Sequence, residues 1–445
     1  MAPVSQGRGA YRAMASLLFS IFRDLYLVLL VILVLEQIPG SDLLHDLTRK
    51  GVITATVCFV IAKLIQPLVE GPSGGPVRAP RRQKKTEGGR AAVMEWASSE
   101  MQGWRPAMED STCIVASLPT PLTNQALFAV FDGHGGSQVA LIASKEFPKV
   151  LGACATNLSK AEDGVDEEDS PAEEEASEKS AKSSEQTPDA GSASEVPSQQ
   201  QLPGKALHLA MLTMDSFLRK GGSSMSARSA VSGPLSVMAN QLESAEKNNA
   251  FSLVGSTACV VLVDCDADST EPGSRVRPRR LTVANCGDSR AVLCRNGKAI
   301  ELSEDHKPEL PGEEERIKKA GGHVAMIGPC HRVDGWGLNL SRALGDFHYK
   351  ARADLPPEQQ KVIAVPEIRT LDLEEEDEFL VLGCDGIFEL NTSQKAVDIV
   401  REALELGLST EQAVEELVDR SCSPNLMQTR GKGGDNCSAI VVRLP

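Results

Sequence analysis

The chain has 445 residues, enough for two or three average domains or for one large domain with additions, and its apolar fraction of 41% is ordinary for a globular core. A formal net charge of −15 argues against general nucleic-acid binding, because neutralising phosphates takes clustered Lys and Arg. The 11 cysteines lack CxxC spacing, and Cys259, Cys286 and Cys384 sit in strand-like runs. That argues against a CxxC-type metal site and points to buried free thiols in a reducing compartment rather than to a disulfide framework.

Two apolar stretches, 13–35 and 52–69, open the chain, interrupted by Arg23, Asp24 and Lys63. Each is near the roughly 20 residues a helix needs to cross a bilayer. Arg8 and Arg12 precede them, and Arg78, Arg81, Arg82, Lys84, Lys85 and Arg90 follow. The positive-inside rule then describes a membrane-associated hairpin with the remainder of the chain facing the cytosol. A hairpin lying on the membrane, an organelle-targeting segment and two buried soluble helices fit the same residues.

Residues 71–92, rich in Pro, Gly and basic residues, read as a linker, and 93–445 as a mixed α/β domain. Strands are expected at Ala126–Phe131, Thr257–Asp264, Leu281–Ala284, Ala291–Cys294, Phe379–Gly383 and Ser438–Val442. Helices are expected at Ser137–Val150, Lys205–Arg219, Gly312–Ala320, Lys395–Leu406 and Thr410–Ser421. Three pieces interrupt the domain: an acidic disordered insert at 155–203, a polar Ser-rich insert at 221–250, and a long loop at 266–280.

Chemistry concentrates at strand ends. The string Phe131-Asp132-Gly133-His134-Gly135-Gly136 follows an apolar run, and an isolated Asp-Gly pair there would be a turn. Similar carboxylates follow downstream: Asp288 in Asn285–Arg290, Asp385 in Cys384-Asp385-Gly386, and Asp435 in Gly433–Asn436. Several carboxylates on rigid strand ends suit a hard divalent cation, so the chain reads as a metal-dependent hydrolase. Other clusters carry less. Asp264–Asp268 begins like a calcium loop but lacks its glycine and its glutamate; His323, Cys330 and His331 lack a second zinc-type pair; Glu374–Glu378 reads as a solvated turn.

The segment Glu100–Asp110, with Gly103-Trp104-Arg105-Pro106-Ala107-Met108-Glu109-Asp110, resembles the opening motif of the protein phosphatase 2C family. Phe131–Gly136, Gly255–Ala258, Asn285–Arg290, Asp305–Pro308, Leu340–Asp346, Cys384–Ile387 and Asp435-Asn436 follow in the family's order, over about 95–445. The segment Gly337–Asp346, with Leu355–Gln360 after it, is most similar to the gamma-type branch, which carries an acidic insert in the position of 155–203.

The resemblance implies an α+β fold, an antiparallel β-sandwich flanked by helices, behind the N-terminal hydrophobic hairpin. It implies a protein Ser/Thr phosphatase with two Mg²⁺ or Mn²⁺ ions that activate a water for in-line attack on phosphorus. Asp132 would bridge the ions, the Gly133 carbonyl would ligate one, and Asp385 and Asp435 would bind the other. Glu109 would act through a bound water, and Asp288 would hold a looser further ion. Arg105 would clamp the phosphate, the alternative being a surface ion pair with Glu109 or Asp110. His134 would protonate the departing oxygen, the alternative being a structural histidine bonded to a carboxylate. Asp110 would orient groups around the centre. Glu389 stands where many members have Asp, which puts the further ion in doubt. The expected partners are phosphorylated proteins, and basic protein segments at the acidic insert. The rival classes are a non-catalytic scaffold and a hydrolase of small phosphate metabolites.

Overall fold

The computed structural model describes residues 79–163, 198–221, 251–267 and 276–445. Residues 79–445 form one compact unit, and 1–78, with the apolar stretches 13–35 and 52–69, lie outside the described residues. Among the described residues no helix is long and apolar enough to cross a membrane.

Strands β1 (Arg81–Ala91) and β2 (Met94–Gly103) form a hairpin, and β3 (Ser111–Val115) and β4 (Gln125–Phe131) form another. The short strand β5 (Gly133–His134) precedes helices α1 (Gln138–Asp163) and α2 (Ser198–Arg219). Then come β6 (Gly255–Ser256), β7 (Ala258–Ala267), β8 (Val276–Cys286), β9 (Arg290–Arg295) and β10 (Lys298–Glu301). Helix α3 (Pro311–Lys319), the hairpin of β11 (Val324–Ile327) and β12 (Cys330–Val333), and the short β13 (Leu344–Gly345) lead to β14 (Glu367–Asp372) and β15 (Asp377–Gly383). The one-turn α4 (Asp385–Phe388), then α5 (Ser393–Glu405), α6 (Thr410–Ser421) and β16 (Cys437–Arg443) complete the order.

Two antiparallel sheets carry the domain, in the orders β1-β2-β16-β15-β9-β10 and β14-β8-β7-β4-β3. Every residue of β4 is buried, which requires cover on both faces. Its side chains alternate: Ala126, Phe128 and Val130 join the core with Leu380 and Val381 of β15, while Leu127, Ala129 and Phe131 pack with Phe147 of α1 and Met211 of α2. The outer face of the first sheet is closed by Val397 and Val400 of α5 and Val414 and Leu417 of α6. Both helices begin where the sequence supplies a cap. Thr392 accepts from the Lys395 N–H, and Ser409 with Gln412 forms a reciprocal capping box.

Several expectations need correction. Residues 81–91, read within the linker, form edge strand β1, bonded along β2. Thr86 Oγ1 donates to Glu415 Oε1 of α6 at 2.6 Å, and Lys84 pairs with Asp419. Helix α1 runs to Asp163 and α2 starts at Ser198, so both ends of the acidic insert are helical; 164–197 lie outside the described residues, as do 222–250 of the polar insert. Within the stretch read as a long loop at 266–280, residues 266–267 and 276–280 are strand, with Ala267 paired to Val276, and 268–275 lie outside the described residues. The acidic run before β15 is not wholly solvated. Asp377 is buried and takes both arms of Arg295, at 2.7 and 3.1 Å. The cysteines among the described residues are free and mostly buried.

Candidate metal centre

Three strand ends converge at one edge of the sandwich. β4 delivers Asp132, β15 delivers Cys384 and Asp385, and the turn into β16 delivers Asp435. Thr257 holds Asp132 by the backbone: the Asp132 N–H donates to Thr257 Oγ1 at 3.1 Å, and the Thr257 N–H donates to the Asp132 carbonyl at 2.9 Å. The loop that carries Arg105 and Glu109 is stitched to β16 by Asn436. Its Nδ2 donates to the carbonyls of Gln102 (2.8 Å) and Ala107 (3.0 Å), and its Oδ1 accepts from the Glu109 N–H at 2.9 Å. Sequence reading assigned Asn436 no role, because these bonds span more than 300 residues and leave no local signal.

Ligand atoms of Asp110, Asp132 and Cys384 all lie within 4.8 Å of one another. Burial pushes the Asp132 carboxyl well above the usual range, and the charges of Asp110, Asp385, Asp288 and Asp435 push it further. Asp385 is raised in the same way, by burial and then by Asp288 and Asp435. Asp110 is pushed up to about 7, by burial above all, although it accepts from Ser438 Oγ at 2.8 Å. Massed carboxylates, buried or half-buried, that outnumber the two cations beside them form a donor set that suits hard divalent cations. The thiol of Cys384 was the unexpected neighbour. Its only sequence signal is adjacency to Asp385, and burial pushes it well above the ordinary thiol range.

Gly133 is buried, and a Cβ there would sit 2.2 Å from the Glu109 carbonyl oxygen. The glycine is therefore required by the close approach of two backbones, a reason the sequence does not contain. Arg105 pairs with Asp435 through Nη2, rather than with Glu109 or Asp110, and its side chain is 52% exposed. Asp288 and Glu389 are both engaged by the chain itself: Lys307 pairs with Asp288, and the Gly433 N–H donates to Glu389 Oε2 at 2.7 Å. Burial alone would lower the Lys307 ammonium, but the Asp288 charge overrides it and raises the lysine instead.

His134 meets Asp346, with 2.6 Å between Nε2 and Oδ2. Burial would lower its pKa; the Asp346 carboxylate beside it prevails and raises it, which favours the imidazolium. His323 and His331 are peripheral, each only near a carboxylate, at 3.7 Å from Asp334 and 3.5 Å from Glu309.

A family model described as protein phosphatase 2C matches residues 94–212 and 214–429. "Probable protein phosphatase 2C 42" of Oryza sativa subsp. japonica is 35% identical over 373 residues, covering 83% of this chain and 90% of its own. "Probable protein phosphatase 2C 2" of Paramecium tetraurelia is 32% identical over 369 residues, covering 82% of this chain and 97% of its own. The solved serine-threonine phosphatase 2C from Toxoplasma gondii shares the fold, with a TM-score of 0.53 at 19% identity over 81% of this chain and 99% of that one. Sequence, fold and clustered strand-end carboxylates agree: the chain belongs to the protein phosphatase 2C family.

Proposed function

We propose that this protein-serine/threonine phosphatase hydrolyses phosphoserine and phosphothreonine esters with two Mg²⁺ or Mn²⁺ ions held by Asp132, the Gly133 carbonyl, Asp385 and Asp435. The observation that carries the reading is the convergence of Asp132, Asp385 and Asp435, half-buried carboxyls brought from separate strand ends close enough to repel one another. Bound there, divalent cations supply an activated water and neutralise phosphate charge.

The chain's own residues do the rest. Arg105 presents a half-exposed planar fork at the rim, with one arm held by Asp435 and its other N–H groups matched to phosphate oxygens. Glu109 and Asp110 orient water and ligands from the loop that Asn436 anchors. His134, partly exposed and biased toward its charged form, gives a proton to the departing Ser or Thr oxygen. Lys307 on Asp288 supplies a fixed positive charge where a further ion would otherwise be drawn. Cys384, the thiol beside the carboxylates, is buried with its pKa raised and stays a thiol, so it is not the nucleophile.

The test is phosphate release from a phosphothreonine peptide with Mn²⁺, with Mg²⁺ and with excess chelator. Turnover should need the metal and should fall by at least about 10²-fold in Asp132→Asn and in Asp435→Asn. Full activity in either folded variant would sink the ligand assignment.

A further inference from the structure

The ribbon β5–β6–β13 has two residues per strand, too few to build a core. Its register serves another end. His134 stands opposite Gly255, and Gly255 stands opposite Gly345, so the central strand places the histidine and the residue after Gly345 on either side of one glycine. That next residue, Asp346, leaves the ribbon in the left-handed region (φ 52°, ψ 43°), its N–H donated to the Val254 carbonyl at 3.0 Å. Gly255 floors the contact: a Cβ there would lie 2.0 Å from Asp346 Oδ2 and 2.5 Å from His134 Nε2.

The arrangement is costly if it is only structural. A non-glycine residue held left-handed stores strain of order 1 kcal/mol. The Asp346 side chain is 1% exposed, and its second oxygen, Oδ1, is buried with no hydrogen-bond partner among the described residues. A second device braces both sides of Asp346. Asp215 of α2 accepts from the Gly345 N–H at 2.9 Å and from Lys350 Nζ at 2.6 Å, while Lys350 also donates to the Ala343 carbonyl at 2.8 Å.

We propose that Asp346 is the positioning residue for His134: it fixes the ring through Nε2–H, which leaves Nδ1–H to deliver the proton to the leaving oxygen. The inference rests on the reading of His134 as the acid. As the P–O bond breaks, its electron pair goes to the seryl or threonyl oxygen and the Nδ1 proton follows. The ring is left neutral with Nε2–H still on Asp346, and the proton from the attacking water goes to solvent. A carboxylate that fixes tautomer and orientation serves only the protonation step. An alkyl leaving group needs that step, whereas a nitrophenolate does not.

The experiment compares full-length wild type with His134→Asn, Asp346→Asn and Gly255→Ala on a phosphothreonine peptide and on p-nitrophenyl phosphate, with Mn²⁺ affinity measured by calorimetry. Asn tolerates the left-handed backbone, so Asp346→Asn retains the local fold. Expected for Asp346→Asn is a kcat loss of about 10²-fold on the peptide, a several-fold loss at most on the aryl ester, and unchanged KM and Mn²⁺ affinity. Gly255→Ala should repeat that pattern by wedging the pair apart. Equal losses on both esters, or weakened Mn²⁺ binding, would assign Asp346 a merely structural or ligand-holding role and overturn the proposal. Leaving-group dependence in His134→Asn but not in Asp346→Asn would overturn it while the acid reading stands. No such dependence in His134→Asn would remove the acid reading itself.

Discussion

At the scale of residues, the strand-end carboxylates were legible because each stands next to a glycine at the edge of an apolar run, before it for Asp435 and after it for the others, and local pattern suffices to mark such ends. Their partners were not legible. Asp346 lies 212 residues from His134, and Lys307 reaches Asp288 only through the fold. His306 shows the same limit. It is buried and accepts the Gly287 N–H on Nδ1 at 3.2 Å, which makes the neutral ring part of the structure. Burial, reinforced by the Arg342 guanidinium, lowers its pKa to about 4. The folded value is depressed below that of the unfolded chain, so its contribution is complete above about pH 6.5 and is lost as pH falls through 4. Urea unfolding across that window should lose up to about 3 kcal/mol in wild type, and His306→Asn should flatten that part of the slope. Matching slopes in the two proteins would contradict it.

At the scale of elements, strands buried on both faces were readable as apolar runs, and the capped helices α5 and α6 as amphipathic repeats. β1 was not, because an edge strand reading Arg81-Arg82-Gln83-Lys84-Lys85 shows neither run nor alternation, only the charge that protects edges. Its strand character comes from β2 and α6. The insert boundaries failed for a related reason: the polar turns at the end of α1 and the start of α2 have no apolar stripe of their own. Packing gives the sharpest test here. Phe128 is fully buried between the sheets, and Phe128→Ala should cost about 3–5 kcal/mol by chemical denaturation. Arg81→Ala, at an exposed end of β1, should stay within about 0.5 kcal/mol. A small loss at Phe128 would mean that the inter-sheet core tolerates a void.

At the scale of the whole molecule, 79–445 is a compact unit, so a catalytic fragment should begin at 79 and keep β1. The membrane-associated hairpin proposed for 1–70 predicts that the full chain co-sediments with anionic lipid vesicles while 79–445 stays in the supernatant; equal partitioning would reject it. The acidic insert is proposed to recruit basic phosphoproteins. Deleting 164–197 should then slow turnover of a basic phosphoprotein and spare a small aryl phosphate, and equal effects on both would refute recruitment. The central claim is that the converging carboxylates hold the ions that hydrolysis needs. It is tested most directly by titrating Mn²⁺ into full-length wild type and Asp132→Asn by calorimetry, with phosphothreonine-peptide turnover read in the same samples. The account predicts that two Mn²⁺ ions bind wild type, that chelator abolishes turnover, and that the variant loses both tight Mn²⁺ binding and activity. Full turnover in the metal-free protein, or in the variant, would contradict it.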